Sequence, residues 1–405
     1  MNSEFATISL FSGAMGLDLG LEQAGLDVLA CQDIDPIACA TVKFNHPKIK
    51  VLEGDLSQIS TQEILRTAGL RRGQPFLVAG GPPCQSFSTA GRRESIADVR
   101  GGLFREFLRV VEESRPRFFL MENVKGLLSA AVKHRPLHLR DSDLEPDEEL
   151  GSAFQLILEE FVRIGYRFAY KVLDAVHYGS PQFRERLVII GSRDNEPLFL
   201  PAPTHFQRHQ NDSLRWVTLR PAIENLEDDP GPFAAFSPER AKYLELVPPG
   251  GNWRDLPEGV TKKAMGAAFE AGGGKMGFYR RLSYQEPAPT LVTSPVQKAT
   301  MLCHPKFTRP LSVREYAAIQ EFPRSWEFAG SLSDKYRQIG NAVPIRLGYS
   351  LGCTLRSIAS GSFEVHTKRT RTQHTGTEVL VEIRRARGDR SISPRPVLRA
   401  EAGVI

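Results

Sequence analysis

Cysteine is scarce in this chain of 405 residues, and its distribution excludes the usual structural uses of the thiol. The five cysteines are odd in number and form no C-x-x-C pair, which argues against a disulfide framework and against a zinc site. Long apolar runs are also absent, since no stretch of about 18 uncharged apolar residues could span a bilayer. The start, MNSEFATISLFSG, lacks the basic and apolar segments of an export signal. We therefore expect a cytoplasmic protein without a metal site.

Excess charge is small and lies mostly at one end of the chain. A net charge of +5 would by itself favour nucleic-acid binding. Residues 361–405, however, hold nine Lys or Arg against five Asp or Glu, so the rest of the chain is nearly neutral. We expect this basic tail to be flexible, with one strand at Thr377–Ile383, where apolar residues alternate.

The first half alternates short apolar runs with amphipathic stretches, a pattern that predicts an α/β domain with a parallel sheet flanked by helices. The predicted strands are Thr7–Phe11, Val28–Asp33, Phe76–Gly80, Phe118–Glu122, Ala169–Ala175 and Leu187–Gly191, with a further strand before Asp55. The predicted helices are Leu17–Ala24, Pro36–Phe44, Gln62–Ala68, Phe104–Glu113 and Phe154–Ile164. The charged segment 131–149 interrupts this alternation, and we expect a solvent-exposed insertion there.

Beyond about Pro201 the chain becomes rich in Pro, Gly and aromatic residues with weak periodicity, which indicates a second, smaller and more irregular unit. Helical spacing returns at Ser312–Gln320 and Pro344–Ile358.

Three successive strand ends carry glycine or aspartate. The turn FSGAMG follows the first strand, Asp33 comes about 20 residues later, and Asp55 follows the third strand. An acid at this spacing can bind ribose hydroxyls, so the pattern indicates an adenosine-containing cofactor in the crevice. A ligand-free βα turn uses the same glycines, and the glycine turn alone leaves that alternative open.

The fourth strand ends in GGPPCQSFS, which presents Cys84 on a stiff loop. Such a thiol suits a nucleophile when positive charge favours the thiolate, and Arg92 and Arg93 are candidates for that charge. The fifth strand ends in MENV and places Glu122 beside this loop, as a general acid or a partner for a ring nitrogen. The alternatives are an inert cysteine and an acid that only caps the next turn.

Two later motifs carry further polar groups. In QFRER the side chains of Arg184 and Arg186 share one face of a strand and suit phosphate or carbonyl oxygens, unless they are solvated surface residues. In QIGNAVP, Asn341 stands in a turn with its amide available for binding, although an ordinary loop has the same pattern.

Taken in order, these motifs resemble the motif series of the DNA (cytosine-5)-methyltransferases of bacterial restriction–modification systems. The series here reads FSGAMG, DID, GDL, GGPPCQSFS, MENVKGL, QFRERL, RRLSYQEPAPTL and QIGNAVP. The resemblance covers about residues 7–355. It implies a doubly wound, Rossmann-like S-adenosylmethionine-dependent methyltransferase domain, which binds the cofactor and carries catalysis over 1–195 and is completed by about 336–360. A smaller, irregular target-recognition domain would cover 200–335, and its variable segment 200–278 resembles the part that reads the target.

The resemblance also implies residue roles. Cys84 matches the nucleophile that adds to carbon 6 of a cytosine flipped out of the duplex. Glu122 matches the acid at ring nitrogen 3, Arg186 the arginine near the base carbonyl, and Arg184 the arginine near the nucleophile loop and phosphate. The positions that match the cofactor lining are Phe11, Gly13, Gly16, Asp33, Asp55, Pro83 and Asn341.

The implied cofactor is S-adenosylmethionine and the implied partner is double-stranded DNA, with a restriction endonuclease acting on the same site. We expect the enzyme to be a monomer. This chain departs from the family at Met15, where glycine is usual, and at Asp33, where glutamate is frequent. Three alternatives remain at this point: an RNA cytosine methyltransferase, a dinucleotide-dependent oxidoreductase, and a catalytically silent DNA-binding relative.

Overall fold

A seven-stranded sheet carries the N-terminal half of the protein. The structure is a computed structural model that describes residues 3–83, 102–132, 145–194, 196–270, 275–362, 364–371 and 377–384. The strands are β1 (Ala6–Leu10), β2 (Asp27–Asp33), β3 (Lys50–Glu53), β4 (Leu77–Gly80), β5 (Phe118–Val124), β6 (Arg167–Asp174) and β7 (Glu185–Ser192). Their spatial order is β3-β2-β1-β4-β5-β7-β6. Strands β1 to β5 pair in parallel, whereas β7 runs antiparallel to both of its neighbours.

The antiparallel β7 corrects the prediction of a wholly parallel sheet. Parallel neighbours need a crossover of a dozen or more residues, which is usually a helix. Between β6 and β7 the chain has only residues 175–184, and its one regular element there is the short 3-10 helix Ala175–Tyr178. The chain therefore turns back along the edge strand instead of crossing a face of the sheet.

Eleven helices surround and follow the sheet in the described part of the chain. Those of the first half are α1 (Gly16–Gln23), α2 (Pro36–Asn45), α3 (Thr61–Thr67), α4 (Leu103–Ser114) and α5 (Ser152–Arg163). Those of the second half are α6 (Leu219–Ile223), α7 (Pro238–Glu245), α8 (Glu258–Met265), α9 (Val313–Ile319), α10 (Leu332–Asn341) and α11 (Ile345–Ser360). The predicted strands and helices are confirmed, with ends that differ by at most two residues.

Alternation along the strands sends apolar side chains to both faces of the sheet. On β5, Phe119 and Met121 face a core shared with α3, α4 and α5. Phe118 and Leu120 face the opposite core, which α1 and α11 cover. Both faces are buried, which explains why these strands read as continuous apolar runs in the sequence.

Segment 200–335 folds around short helices and loops. One apolar cluster belongs to this segment alone and includes Leu244, Met265, Tyr279 and Met301. A second cluster joins its later part, with Leu302 and Tyr316, to Met15 and to α10 and α11. The segment is irregular in secondary structure, as predicted, and it has a hydrophobic core of its own.

The C-terminal elements differ from expectation in two places. Asn341, predicted to lie in a turn, is the last residue of α10, which begins with a capping box between Ser331 and Asp334. Beyond α11 the chain forms an antiparallel hairpin of β8 (Glu364–Arg371) and β9 (Thr377–Arg384). The sequence predicted β9 and missed β8.

Parts of some predictions lie outside the described residues. Within the charged segment 131–149 these are residues 133–144, and the remainder includes an exposed or half-buried 3-10 turn at Pro146–Glu148. Residues 385–405 of the tail are also outside them. Within the described ranges no helix is long and apolar enough to cross a membrane.

Glycines let α11 pack directly against α1, although the two helices are more than 300 residues apart in sequence. A Cβ atom at Gly20 would lie 2.2 Å from the carbonyl oxygen of Ile345. A Cβ atom at Gly348 would lie 2.5 Å from the carbonyl oxygen of Leu17. The backbones of the two helices are therefore in contact, and no larger residue fits between them.

We predict that Gly20→Ala lowers the free energy of unfolding by roughly 1–3 kcal/mol, because the added methyl group overpacks a backbone contact that cannot give way. Urea unfolding with an unchanged m-value would measure this loss. Gly259→Ala is the matched control, since Gly259 is an exposed residue in the first turn of α8 and an added Cβ meets no heavy atom within 4 Å. The control should lose no stability, because alanine favours a helix more than glycine does. Equal effects in both variants would contradict the packing argument.

Candidate active site

Glu122 and Arg186 form an ion pair at the edge of the sheet. Glu122 lies near the end of β5 and Arg186 near the start of β7, where the antiparallel pairing sets Arg186 opposite Val124. The Nε atom of Arg186 is 2.5 Å from Oε1 of Glu122, and the two side chains are only 11% and 12% exposed. A carboxylate and a guanidinium are thus held together in a sheltered position, where charge-assisted hydrogen bonds are strong.

The backbone that leads to Cys84 passes directly beside this pair. A Cβ atom at Gly81 would lie 2.8 Å from Oε2 of Glu122, so the missing side chain at Gly81 makes room for the carboxylate. Asn123 donates from Nδ2 to the carbonyl oxygen of Pro82 at 3.0 Å. Its Oδ1 atom accepts the backbone N–H of Val124 at 2.8 Å. Asn123, which the sequence analysis did not single out, therefore fixes the backbone that leads into the Cys84 loop.

The loop itself is only partly described. Pro83 is exposed at its start. Cys84, Arg92 and Arg93 lie outside the described residues, so their predicted roles stay predictions. Among the described residues, no three His, Cys, Asp or Glu side chains come together as a metal site.

Arg184 lies beside the pair but has different partners. Its side chain is buried, and it donates from Nη1 to the carbonyl oxygen of Leu291 at 2.9 Å and from Nη2 to that of Gly340 at 2.8 Å. Burial lowers the pKa of the guanidinium, as does the nearby charge of Arg186, while Glu122 opposes this shift. The sequence placed both arginines on one face for shared contacts. In the structure only Arg186 pairs with Glu122.

The turn after β1 adopts the strained geometry expected of a binding turn. Phe11, Gly13 and Met15 all have positive φ, at 54°, 52° and 68°. The backbone N–H of Gly13 donates to Oδ2 of Asp33 at 2.7 Å, and that of Asp35 donates to Oδ1 at 2.9 Å. Burial raises the pKa of Asp33, and these two hydrogen bonds lower it. Asp33 thereby ties the end of β2 to the turn.

The other predicted cofactor residues lie around the same edge. Asp55 follows β3 and accepts the backbone N–H of Ser57 at 2.9 Å. Gly16 opens α1, and a Cβ atom there would lie 2.4 Å from the carbonyl oxygen of Val343, so this glycine serves the packing of the C-terminal segment. Asn341 is exposed at the end of α10.

Met15 occupies a position where glycine would be free of strain. A left-handed conformation costs an ordinary residue roughly 1–2 kcal/mol. The Met15 side chain is fully buried in the cluster that joins the turn to α10 and α11. Burial of a methionine stabilises by about 1.5–3 kcal/mol, which offsets the strain. The departure from the family pattern is therefore compatible with the turn.

Asp18 is a buried carboxyl group that the sequence analysis did not single out. It lies in the first turn of α1, it is 1% exposed, and neither oxygen has a hydrogen-bond partner among the described residues. Burial raises its pKa to about 7. The nearby hydroxyl group of Ser9 lowers this pKa, and the charges of Glu22 and Asp33 raise it further.

Comparison with known proteins decides the family. The sequence profile of the C-5 cytosine-specific DNA methylases matches residues 5–357. The chain belongs to this family. Among its relatives, the type II methyltransferase M.Eco47II of Escherichia coli is 40% identical over 359 residues, which cover 87% of this chain and 78% of the relative. The type II methyltransferase M.Sau96I of Staphylococcus aureus is 38% identical, with coverages of 87% and 76%.

A solved structure shares the fold. A protein described as a DNA modification methyltransferase from an Escherichia coli prophage superposes with a TM-score of 0.59 at 23% identity, and the match covers 88% of this chain and 99% of that one. The resemblance inferred from motif order is therefore confirmed, as is the methyltransferase fold with its seven-stranded sheet. The oxidoreductase alternative is excluded by the family assignment.

We predict that Asp18→Asn stabilises the protein more at pH 8 than at pH 5. The unfolded carboxyl group titrates near pH 4 and the folded one near pH 7. The folded state therefore holds a proton that the unfolded state lacks, and stability falls as the pH rises through this window. Asparagine does not titrate, so its advantage over wild type should grow by roughly 2–3 kcal/mol between pH 5 and pH 8.

Urea unfolding at the two pH values would measure this difference. The exposed Asp228 supplies a matched control, because Asp228→Asn removes an equal charge without a buried carboxyl group. An advantage of Asp18→Asn that is the same at pH 5 and pH 8 would contradict the assignment of the raised pKa to Asp18.

Proposed function

We propose that this chain transfers a methyl group from S-adenosylmethionine to carbon 5 of a cytosine within a specific double-stranded DNA sequence. It would act as a monomer and as the modification enzyme of a type II restriction system, beside an endonuclease that cleaves the same unmethylated site. The observation that carries the proposal is the Glu122–Arg186 pair, which lies against the backbone that leads into Cys84.

The base would lie between the nucleophile loop and this pair. The Cys84 thiolate adds to carbon 6 and makes carbon 5 electron-rich, so that carbon 5 takes the methyl group. Loss of the proton from carbon 5 then expels the thiolate and restores the ring. Glu122 would contact ring nitrogen 3 and Arg186 the neighbouring carbonyl oxygen, where they offset charge that develops in the adduct. A cytosine inside the duplex is out of reach, so the base must be flipped out.

The residues around β1 and β2 fit the methyl donor. An added Cβ atom at Gly13 would meet no heavy atom within 4 Å, so the turn is open toward the crevice. A carboxylate has about four lone-pair sites, so Asp33, which already accepts two backbone hydrogen bonds, keeps acceptor capacity for ribose hydroxyls. With Phe11, Asp55 and Asn341, these residues would hold the cofactor, which supplies the activated methyl group.

Target reading is assigned to segment 200–278 of the small domain. Exposed side chains near its start include Gln207, Arg208, Gln210 and Arg215, which border an open surface cavity. Arginine and glutamine make the bidentate contacts that distinguish guanine and adenine in the major groove. Because every relative acts on the same flipped cytosine, the groups that contact this base cannot distinguish flanking sequences.

We predict that Cys84→Ala abolishes methyl transfer and leaves cofactor binding largely intact, because the proposed cofactor contacts come from other strand ends. With a mechanism-based cytosine analogue in DNA, wild type should form a covalent adduct and the variant should not. Denaturing gels would detect the adduct, and calorimetry would measure cofactor affinity. If an active wild-type enzyme formed no adduct, the nucleophile assignment would be wrong.

Glu122→Gln is the companion variant, since it keeps the thiol and changes only the acid. Its transfer rate should fall by roughly 100-fold, the scale on which positioned acids contribute. Binding of duplex DNA should change little. An unaffected rate would mean that another group serves ring nitrogen 3.

We also predict that exchanging residues 200–278 for those of a family member with a different target moves methylation to that member's site. Each good bidentate contact contributes about 1–3 kcal/mol of discrimination, so specificity should follow the segment that supplies these contacts. The readout is a map of methylated cytosines in DNA from a host that expresses the hybrid. A control hybrid that exchanges only α5 should keep its original site.

An active hybrid that kept its original site would contradict this assignment. Recognition would then lie elsewhere, in segment 131–149 or in residues 297–308.

A further inference from the structure

One extended segment connects the sheet to the second half of the chain just before β7 begins. The backbone N–H of Phe183 donates to the carbonyl oxygen of Ala288 at 2.8 Å. The hydroxyl group of Thr290 donates to the carbonyl oxygen of Phe183 at 2.7 Å. Residues 181–186 therefore run from a contact with the 288–291 stretch straight into the strand that carries Arg186.

Gln182 extends this connection to the C-terminal helices. Its amide nitrogen Nε2 donates to Oε1 of Gln320 at 2.8 Å and to the carbonyl oxygen of Ile319 at 3.2 Å. Gln320 in turn donates to the carbonyl oxygens of Ile339 at 2.7 Å and Ala342 at 3.1 Å. Both glutamines are fully buried, so this network joins the segment to the ends of α9 and α10.

Arg184 lies between the two proposed substrate sites. Its guanidinium holds the carbonyl oxygen of Gly340, the residue before Asn341, and that of Leu291. The Gly340 carbonyl belongs to the last turn of α10, where orphan carbonyl groups favour a cation. Two residues further along, Arg186 holds Glu122.

Arg184 is only 2% exposed, and its guanidinium already donates to two carbonyl groups. Its side chain is therefore not available for contact with a DNA phosphate. We propose that Arg184 is a positioning residue that couples binding of the methyl donor at the Asn341 side to binding of the target base at the Glu122–Arg186 pair. This inference rests on the proposed function. A shift of the end of α10 acts on the Arg184 guanidinium through the Gly340 carbonyl group, and the Arg184 backbone leads directly into β7, where Arg186 holds Glu122. Such coupling is reciprocal between the two ligands.

The test measures the dissociation constant of S-adenosylhomocysteine with and without a DNA duplex that contains the target sequence, which is identified beforehand by mapping methylated cytosines. The ratio of the two constants is the coupling between the ligands. Allosteric coupling commonly changes affinity by about 5–150-fold, and we expect a wild-type ratio in this range. Arg184→Met should bring the ratio to within about twofold of 1. Arg184→Lys keeps the charge and can reach one carbonyl group, so its ratio should lie between the two and serves if the methionine variant does not fold.

Arg117→Met is the matched control. Arg117 also ties the sheet to a C-terminal helix, since its Nη2 atom donates to the carbonyl oxygen of Ala359 at 3.0 Å, but it does so at the opposite end of β5. This variant should lose stability and keep the wild-type ratio. The inference is overturned if Arg184→Met retains the wild-type ratio, if both variants lose it equally, or if wild type methylates DNA with a ratio of 1. A wild-type protein that neither binds the ligand nor methylates DNA would instead overturn the proposed function.

Discussion

The Glu122–Arg186 ion pair depends on the reversed direction of one strand. In a parallel sheet the start of a strand lies at the amino edge, far from the carboxyl ends where active groups gather. Because β7 runs antiparallel to β5, its first residues come to the edge where β5 ends. Arg186 can meet Glu122 only for this reason. The short connection from β6 therefore decides the chemistry of the site as well as the topology.

A second constraint is that the site is closed by the far end of the chain. The backbone contact between α1 and α11 needs glycine at Gly20 and Gly348, and it brings the end of α10 toward the turn after β1. Gly16, which reads in the sequence as a cofactor residue, packs against the carbonyl group of Val343 in the same region. The glycine-rich turn thus serves the assembly of two distant segments, whatever it binds.

The regular elements were predictable because their apolar periodicity is strong on both faces of the sheet. The reversal of β7 leaves no mark within the strand itself, and its signal in the sequence is the connection from β6, which is too short for a helical crossover. Asn341 was predicted to lie in a turn because glycine, which disfavours a helix, precedes it. The start of α10 was nevertheless indicated by the capping pair Ser331 and Asp334, ten and seven residues upstream of Asn341. This capping pattern is present in the sequence, but the glycine and proline of QIGNAVP favoured a turn over a helix.

Side-chain partners were harder to predict than side-chain positions. The motif order places Glu122, Asp33 and Arg184 at the ends of strands, and the structure has them there. Periodicity, however, carries no information on which carbonyl group a buried guanidinium contacts. Asn123 and Asp18 illustrate the same gap. An amide that follows an acid, as at Asn123, is common in sequences, and so is a carboxyl group in the first turn of a helix, as at Asp18. Only the packing around each residue shows that Asn123 anchors a loop and that Asp18 is buried, and that neither is a surface residue.

Under the proposed function, the ion pair also sets what an incoming cytosine would have to do. Glu122 already has a charged partner at 2.5 Å, and Gly81 leaves its other oxygen facing the backbone before the nucleophile loop. In the proposed reaction, ring nitrogen 3 of cytosine carries no proton and can only accept a hydrogen bond, so Glu122 would donate to it from a protonated carboxyl group. Protonation gives up the charged contact with Arg186, whose guanidinium would then donate to the base carbonyl. A base that left either group without a partner would leave a polar group unpaired in a sheltered site, which is costly. With Glu122 protonated, the site would therefore favour a pyrimidine whose ring nitrogen 3 has no proton, as in cytosine, before any bond to sulfur forms.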